Sequence, residues 1–175
     1  MIFNFSDFPV LKTKRLLLRE ATLKDAKAIF NLRSSKEINK FVGTKLVENL
    51  QEAADFISVS DKLYKKKKRV FWLIEFQQEV IGSIVLHNIN LDKKYAEIGY
   101  KLKPNFQKLG FMSEAMQVIL KFATQQMGLK TVEAFTHKNN MASIALLKKH
   151  HFVFQPDRKC AVYDFNRIWK LEVRS

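Results

Sequence analysis

The stretch Pro104-Asn-Phe-Gln-Lys-Leu-Gly-Phe-Met-Ser-Glu114 holds the residue types and spacing that suit an anion. It lies between a strand-like run ending at Leu102 and a helix-like apolar pattern. A helix start exposes unpaired N–H groups and a partial positive charge, and Gly110 lets the backbone approach a ligand with no Cβ in the way. A pyrophosphate is the natural guest. The spacing alone is not specific, because a Gly before a helix is also ordinary loop chemistry. Metal chemistry has no counterpart in the sequence: Cys160 is the lone cysteine, and no C-x-x-C or H-E-x-x-H spacing occurs.

The elements that must position this loop follow from periodicity. RLLLRE at 15–20 is a short apolar run. Thr22, with Asp25 three residues on, reads as a capped start for a helix through Ala26, Ile29, Phe30 and Leu32. A second helix is expected from Glu48 to Tyr64, ahead of the basic run Lys65 to Arg69, read as a solvated loop. Strands are expected from Val70 to Phe76, Val80 to Leu86 and Tyr95 to Leu102, as an antiparallel meander. Ala115, Met116, Ile119, Leu120, Phe122 and Ala123 give a helix from Ser113 to Met127, stopped by Gly128. Strand Thr131 to Thr136, helix Met141 to His150 capped by Asn140, and strands near 152–154 and 161–173 complete a mixed α/β chain.

The chain has 175 residues with 47% hydrophobic content, enough for one well-packed domain spanning 1–175, and no repeat or Pro/Gly-rich linker divides it. MIFNFSDFPVLKTKR lacks the charged-then-apolar order of a signal peptide, and no apolar run approaches the roughly 20 residues that span a bilayer. A soluble, cytoplasmic protein is the expectation. Lys+Arg number 31 against 17 Asp+Glu, a net charge of +14. Such a field attracts an anionic partner, yet a lysine-rich surface that only maintains solubility gives the same count. Charge by itself does not separate nucleic acid, ribosome, acidic protein or phosphorylated cofactor.

Gln107, Gly110 and Met112 occupy the marked places of a segment that resembles the Q/R-x-x-G-x-G/A signature of the GNAT acetyltransferases. The likeness extends along the chain. Phe8-Pro9 through Arg19 looks like the opening of the RimJ/RimL-type branch, and Ala96-Glu97-Ile98-Gly99-Tyr100 looks like its central strand. Phe111-Met112-Ser113-Glu114-Ala115 and Asn140-x-Ala142-Ser143 look like its helix start and late helix cap. The resemblance implies an α/β fold with a mixed, mostly antiparallel sheet of six to seven strands and about four helices. Three positions depart from the pattern: Met112 where a small residue is preferred, His151 where Gly is common, and Leu147 where many members carry a tyrosine that protonates the leaving thiolate.

What the resemblance implies is an acetyl-CoA-dependent N-acetyltransferase with no metal, in which an amine attacks the thioester directly. Tyr100, Leu102, Gln107, Lys108, Leu109, Gly110, Phe111, Met112, Ser113, Asn140 and Ser143 are then its cofactor contacts. Lys148 and Lys149 are further cations for its phosphates, although solvent-facing lysines are the commoner use of such residues. The central strand would splay from the strand beginning at Thr131, freeing backbone groups near Tyr100 and Leu102. An α-amine of pKa about 8 loses its proton far more readily than a lysine. Glu97 is the candidate base, directly or through water, against a reading as a surface carboxylate paired with lysine. Ser113 is the candidate proton donor to sulfur, against a reading as helix N-cap, and His87 is a weaker candidate for assisting proton removal.

By the same resemblance the expected acceptor is a protein N-terminal amine, of a ribosomal protein for instance, or a small amine, held between the first two helices and the last hairpin. Monomer and homodimer both fit. A different class, a non-catalytic GNAT-fold module binding nucleic acid or ribosome, draws on the charge and on Leu147. Against it, the aromatic residues fall on periodic apolar positions and not on an exposed stacking stripe.

Overall fold

The computed structural model of the protein describes residues 2–173. One eight-stranded sheet runs in the order β1-β2-β3-β4-β5-β6-β8-β7. The strands are β1 (Leu11–Lys12), β2 (Leu16–Glu20), β3 (Val70–Phe76), β4 (Glu79–Asn90), β5 (Tyr95–Leu102), β6 (Thr131–His137), β7 (Val153–Phe154) and β8 (Asn166–Glu172). The helices are α1 (Ala26–Ser34), α2 (Leu50–Lys65), α3 (Phe111–Lys121) and α4 (Met141–Lys149). Every pairing is antiparallel except β5 with β6. The sheet exceeds the expected six to seven strands because β1 and β7 are two-residue edge pairings, too short to carry a sequence period.

Helices cover both faces, which is why β3 reads as a continuous apolar run and not as an alternation. Phe71 and Leu73 face α1 and α2, packing with Ile29, Leu32, Ala53 and Ile57. Val70, Trp72 and Ile74 face the other way, in the cluster that includes Met116, Ile119 and Phe122. Trp72 is fully buried, and its indole N–H donates to the Pro9 carbonyl at 2.7 Å, so its one polar atom is satisfied. Each buried aliphatic side chain of this kind contributes about 1.5–3 kcal/mol of transfer free energy.

Local chemistry sets the helix starts. Thr22 and Asp25 form the expected capping box, but it opens a 3-10 turn, Leu23–Asp25, before α1 begins. Arg19 donates to Asp25 and Glu75, tying this turn to β2 and β3. Asn49 caps α2 by accepting from the Glu52 N–H at 2.9 Å. α3 starts at Phe111 with Gly110 as its N-cap, so the reading of Ser113 as the cap is corrected: Ser113 is already inside the first turn. After Lys121 the helix widens into a π turn, Phe122–Gln126, and Gly128 ends it at φ 70°. His151 takes φ 66° after α4, the left-handed conformation that a glycine would adopt without strain.

β3 and β4 slip register between Ile74 and Glu75, and beside this irregularity Gly82 stands between Ile74 of β3 and Leu102 of β5. A Cβ at Gly82 would lie 2.3 Å from the Lys101 carbonyl oxygen, a backbone atom that can yield only if the strands separate. Gly82→Ala is therefore expected to cost about 1–3 kcal/mol. A lowered urea midpoint with unchanged m-value checks this, and an unchanged midpoint would refute the close approach.

Candidate active site

The loop 107–110 and the first turn of α3 form one surface. Among the described residues, none of the backbone N–H groups from Lys108 through Ser113 donates to a protein acceptor. Lys108 at φ 61° and Gly110 at φ 81° turn this run of donors, and Gln107, Lys108, Leu109 and Gly110 are exposed. Phe111 and Met112 send their side chains into the core, so the bulk of Met112 lies away from the loop and only its N–H contributes there. The loop is fastened from behind. Glu114 accepts from the Arg15 backbone N–H at 2.9 Å and side-chain Nε at 2.7 Å, and from the Thr13 hydroxyl. Arg15 also donates to the Leu109 carbonyl at 3.1 Å and lies 4.2 Å from the centre of the Phe111 ring. These bonds hold the Glu114 carboxyl below its ordinary range, with burial opposing them.

Beside this loop the sheet opens. β5 pairs with β6 only at Tyr95–Thr131, Ala96–Val132 and Glu97–Glu133. Beyond Glu97 the strands diverge, β5 staying with β4 and β6 with β8. The Tyr100 hydroxyl meets the Ser143 hydroxyl at 2.5 Å across the gap, and Asn140 caps α4 by accepting from the Ser143 N–H at 3.2 Å. Burial pushes the Tyr100 phenol up to about 12. Gln107 donates to the Leu102 carbonyl at 3.0 Å, so that carbonyl, expected to be free, already has a partner.

The gap leads into a cavity of about 330 Å³ with walls from α1, α2, β3, β4, β5, β6 and the start of α4. Phe41 and His137 line it in contact with each other, and His137 is backed by Phe165, which stacks in turn on Tyr163. His87 lines the cavity, and its Nε2 would stand 4.0 Å from a Cβ placed on Gly99. Glu97 does not reach the cavity wall. Its Oε2 is 3.8 Å from His87 Nδ1, and its Oε1 lies 3.2 Å from the Tyr95 hydroxyl, which also reaches Glu133 at 3.0 Å. Burial lowers the His87 pKa, Glu97 opposes that and Arg69 reinforces it, so the imidazole is neutral at pH 7.

Ser113 is paired with His150, Oγ to Nε2 at 2.9 Å, an arrangement that the sequence reading did not anticipate. Lys108, Lys148 and Lys149 are exposed. Leu147 is buried and carries no polar group toward the site. The run Lys65 to Arg69, read as wholly solvated, needs correcting at its last member. Arg69 lines the cavity together with Arg33 and Lys101, none of which the sequence reading singled out. A period-two signal existed for Arg69, since it shares strand parity with Phe71 and Leu73, the face that packs on α1 and α2.

Burial, with the Arg33 guanidinium adding repulsion, pushes the Lys101 ammonium down to about 8. Its Nζ donates to Asn39, whose amide N–H groups are fixed on the Leu32 and Ser35 carbonyls. A folded pKa below the unfolded value means that the unfolded chain binds more protons between pH 8 and about 10.5. This group's contribution to stability is therefore smallest below pH 8 and grows as the pH rises through that window. Relative to Lys101→Met, the wild-type urea midpoint should rise from pH 8 to 10, and parallel profiles would show an unshifted lysine.

Residues 15–153 match the acetyltransferase (GNAT) domain family. The chain is 35% identical over 147 residues to the uncharacterized N-acetyltransferase YoaA of Bacillus subtilis (strain 168), covering 83% of each protein. Its fold is similar to that of RimL, a ribosomal L7/L12 alpha-N-protein acetyltransferase solved with coenzyme A. That likeness has a TM-score of 0.83 and 22% identity over 94% of this chain and 98% of the other. It is also similar to the microcin C7 self-immunity acetyltransferase MccE, solved with acetyl-CoA and AMP, with a TM-score of 0.79, 20% identity, and 92% and 94% coverage. The open sheet, the run of unpaired N–H groups at the α3 start and the family match together place this chain among the GNAT N-acetyltransferases.

Proposed function

We propose that the chain transfers acetyl from acetyl-CoA to a primary amine, the cofactor lying along the α3 start and the gap and the amine occupying the cavity beyond. The observation that carries this reading is the set of free N–H groups from Lys108 to Ser113 beside a sheet that opens at Glu97. Those donors and the α3 dipole fit a pyrophosphate, and the unpaired edge of β5 fits an amide-containing arm. Acetyl-CoA supplies an acyl carbon activated as a thioester.

The residues of the chain handle alignment and protons. Holding amine and acyl carbon together across one gap provides much of the rate. His87, neutral and on the cavity wall, takes the proton released as the acceptor nitrogen bonds the acyl carbon. Glu97 acts behind it, stabilising the imidazolium, and so is a positioning residue and not the direct base. Ser113, sharing a proton with His150, returns one to the departing sulfur. Tyr100 is the second hydroxyl available for that task, because it lines the cavity and Leu147 leaves the usual tyrosine position apolar. The cavity volume suits a single N-terminal residue or a small amine.

Calorimetric titration with acetyl-CoA should give micromolar binding that weakens at least tenfold, about 1.4 kcal/mol, in Gly110→Asp, whose carboxylate repels a pyrophosphate. Equal affinity in the variant would remove the loop from the cofactor site. His87→Gln is expected to lower kcat about 10²- to 10⁴-fold while leaving acetyl-CoA affinity unchanged. Ser113→Ala and Tyr100→Phe separate the two proton donors: the one that slows turnover in step with the leaving-group pKa of alternative thioesters is the acid. Undiminished turnover in both would assign that proton to water.

A further inference from the structure

Two guanidinium groups stand in the cavity wall without the carboxylates that normally accompany buried arginine. Arg33 comes from the last turn of α1 and Arg69 from the residue before β3, and both line the cavity. Their Nε atoms are buried and have no hydrogen-bond partner among the described residues. Among the described residues, Arg33 forms no ion pair or side-chain hydrogen bond, and its guanidinium lies 3.9 Å over the Phe56 ring. Arg69 lies 5.6 Å from the same ring and donates only to the Ser60 hydroxyl, at 3.2 Å. Lys101 adds a third cationic group, and among the described residues no aspartate or glutamate lines the cavity.

Burial, with Arg69 as a like-charged neighbour, depresses the Arg33 pKa to about 10, and burial depresses that of Arg69, so both remain charged at pH 7. Like charges gathered in a half-buried site oppose folding unless something of opposite sign relieves them. The planar face of Arg33 is already fixed on Phe56, so its N–H edge is pre-oriented, as two-pronged recognition of a carboxylate or phosphate requires. Lys101 is held by Asn39, so it strengthens the positive field while the two arginines keep the open donors.

We propose that the acceptor amine carries an anionic oxyacid group, a carboxylate or a phosphate, which Arg33 and Arg69 bind on the α1–α2 side of the cavity while the amine faces His87. This rests on the acetyltransferase reading above. It makes the cavity selective by charge, since a neutral amine would leave the arginines as unpaired as they are without a ligand.

The test uses amines in matched pairs: O-phosphoethanolamine against ethanolamine, β-alanine against β-alaninamide, and Asp-Ala-amide against Asn-Ala-amide. Turnover is read as free thiol released from acetyl-CoA. At least one anionic member should exceed its neutral partner at least tenfold in kcat/KM, and the pair that responds distinguishes phosphate from carboxylate. Arg33→Met and Arg69→Met, each checked for an intact thermal transition, should erase that preference through KM with acetyl-CoA affinity unchanged. Neutral partners turned over equally well, or a preference surviving in both variants, would overturn the proposal. If no pair is turned over, calorimetry of O-phosphoethanolamine and β-alanine with the wild type decides: binding lost in Arg33→Met supports the anion site, and no binding of either probe refutes it. Failure of acetyl-CoA itself to bind would instead sink the acetyltransferase reading, and the probe titration still reports on the arginines.

Discussion

Three residue pairs, Tyr95 to Glu97 against Thr131 to Glu133, join the two halves of the sheet, and the opening beyond them is what everything else is built around. Parallel pairing ends at Glu97 and Glu133, while each strand keeps its antiparallel partner on the other edge. β5 continues with β4 to Leu102, and β6 continues with β8 to His137. At the closed end, Tyr95 sits between Glu97 and the buried Glu133, which Arg158 also engages, so the junction is anchored by polar contacts as well as by the ladder. At the open end, Tyr100 and Ser143 meet across the gap and keep α4 beside it.

Two devices turn that opening into a site. On one side Glu114 and Arg15 secure the α3 start to β2, so the loop presents its N–H groups without a ligand to order it. Preorganised donors of this kind bind an anion with little loss of entropy. On the other side, α1 and α2 leave a space above Val85 and Gly99 whose charged lining comes from elements far apart in sequence. The overall charge of +14 does not by itself explain this, because most of the lysines are exposed and screened by salt. Arg33 and Arg69 stand where screening is weak, on the cavity wall with their Nε atoms buried.

Much of the architecture was legible in the sequence. β3 and β5 match their expected limits, since each is an apolar run bounded by polar turns, Gln77-Gln78 after one and Lys93-Lys94 before the other. Gly110 and the helix after it were legible for a physical reason: a left-handed residue and an apolar helical period leave local marks. The extension of β4 to Asn90 was missed, because past Leu86 the run turns polar and is held by tertiary contacts: pairing with β5, the Ile89 N–H donating to the Lys68 carbonyl, and burial of Ile89. Ser113 with His150 and Arg33 with Arg69 were illegible because each pair is made by packing distant elements. Glu97 and His87 were both named as candidates for proton removal, and of the two His87 holds the position on the cavity wall. The two face each other across β4 and β5, and the sequence does not reveal which of two cross-strand partners borders a cavity.

Amide hydrogen exchange with and without saturating acetyl-CoA tests most directly whether the open sheet and the α3 start are the cofactor groove. New protection should appear at residues 98–102 and 108–113, while the amides of β3, already buried and paired on both sides, exchange as before. Unchanged exchange at 108–113 in the presence of bound acetyl-CoA would place the cofactor elsewhere and contradict the account.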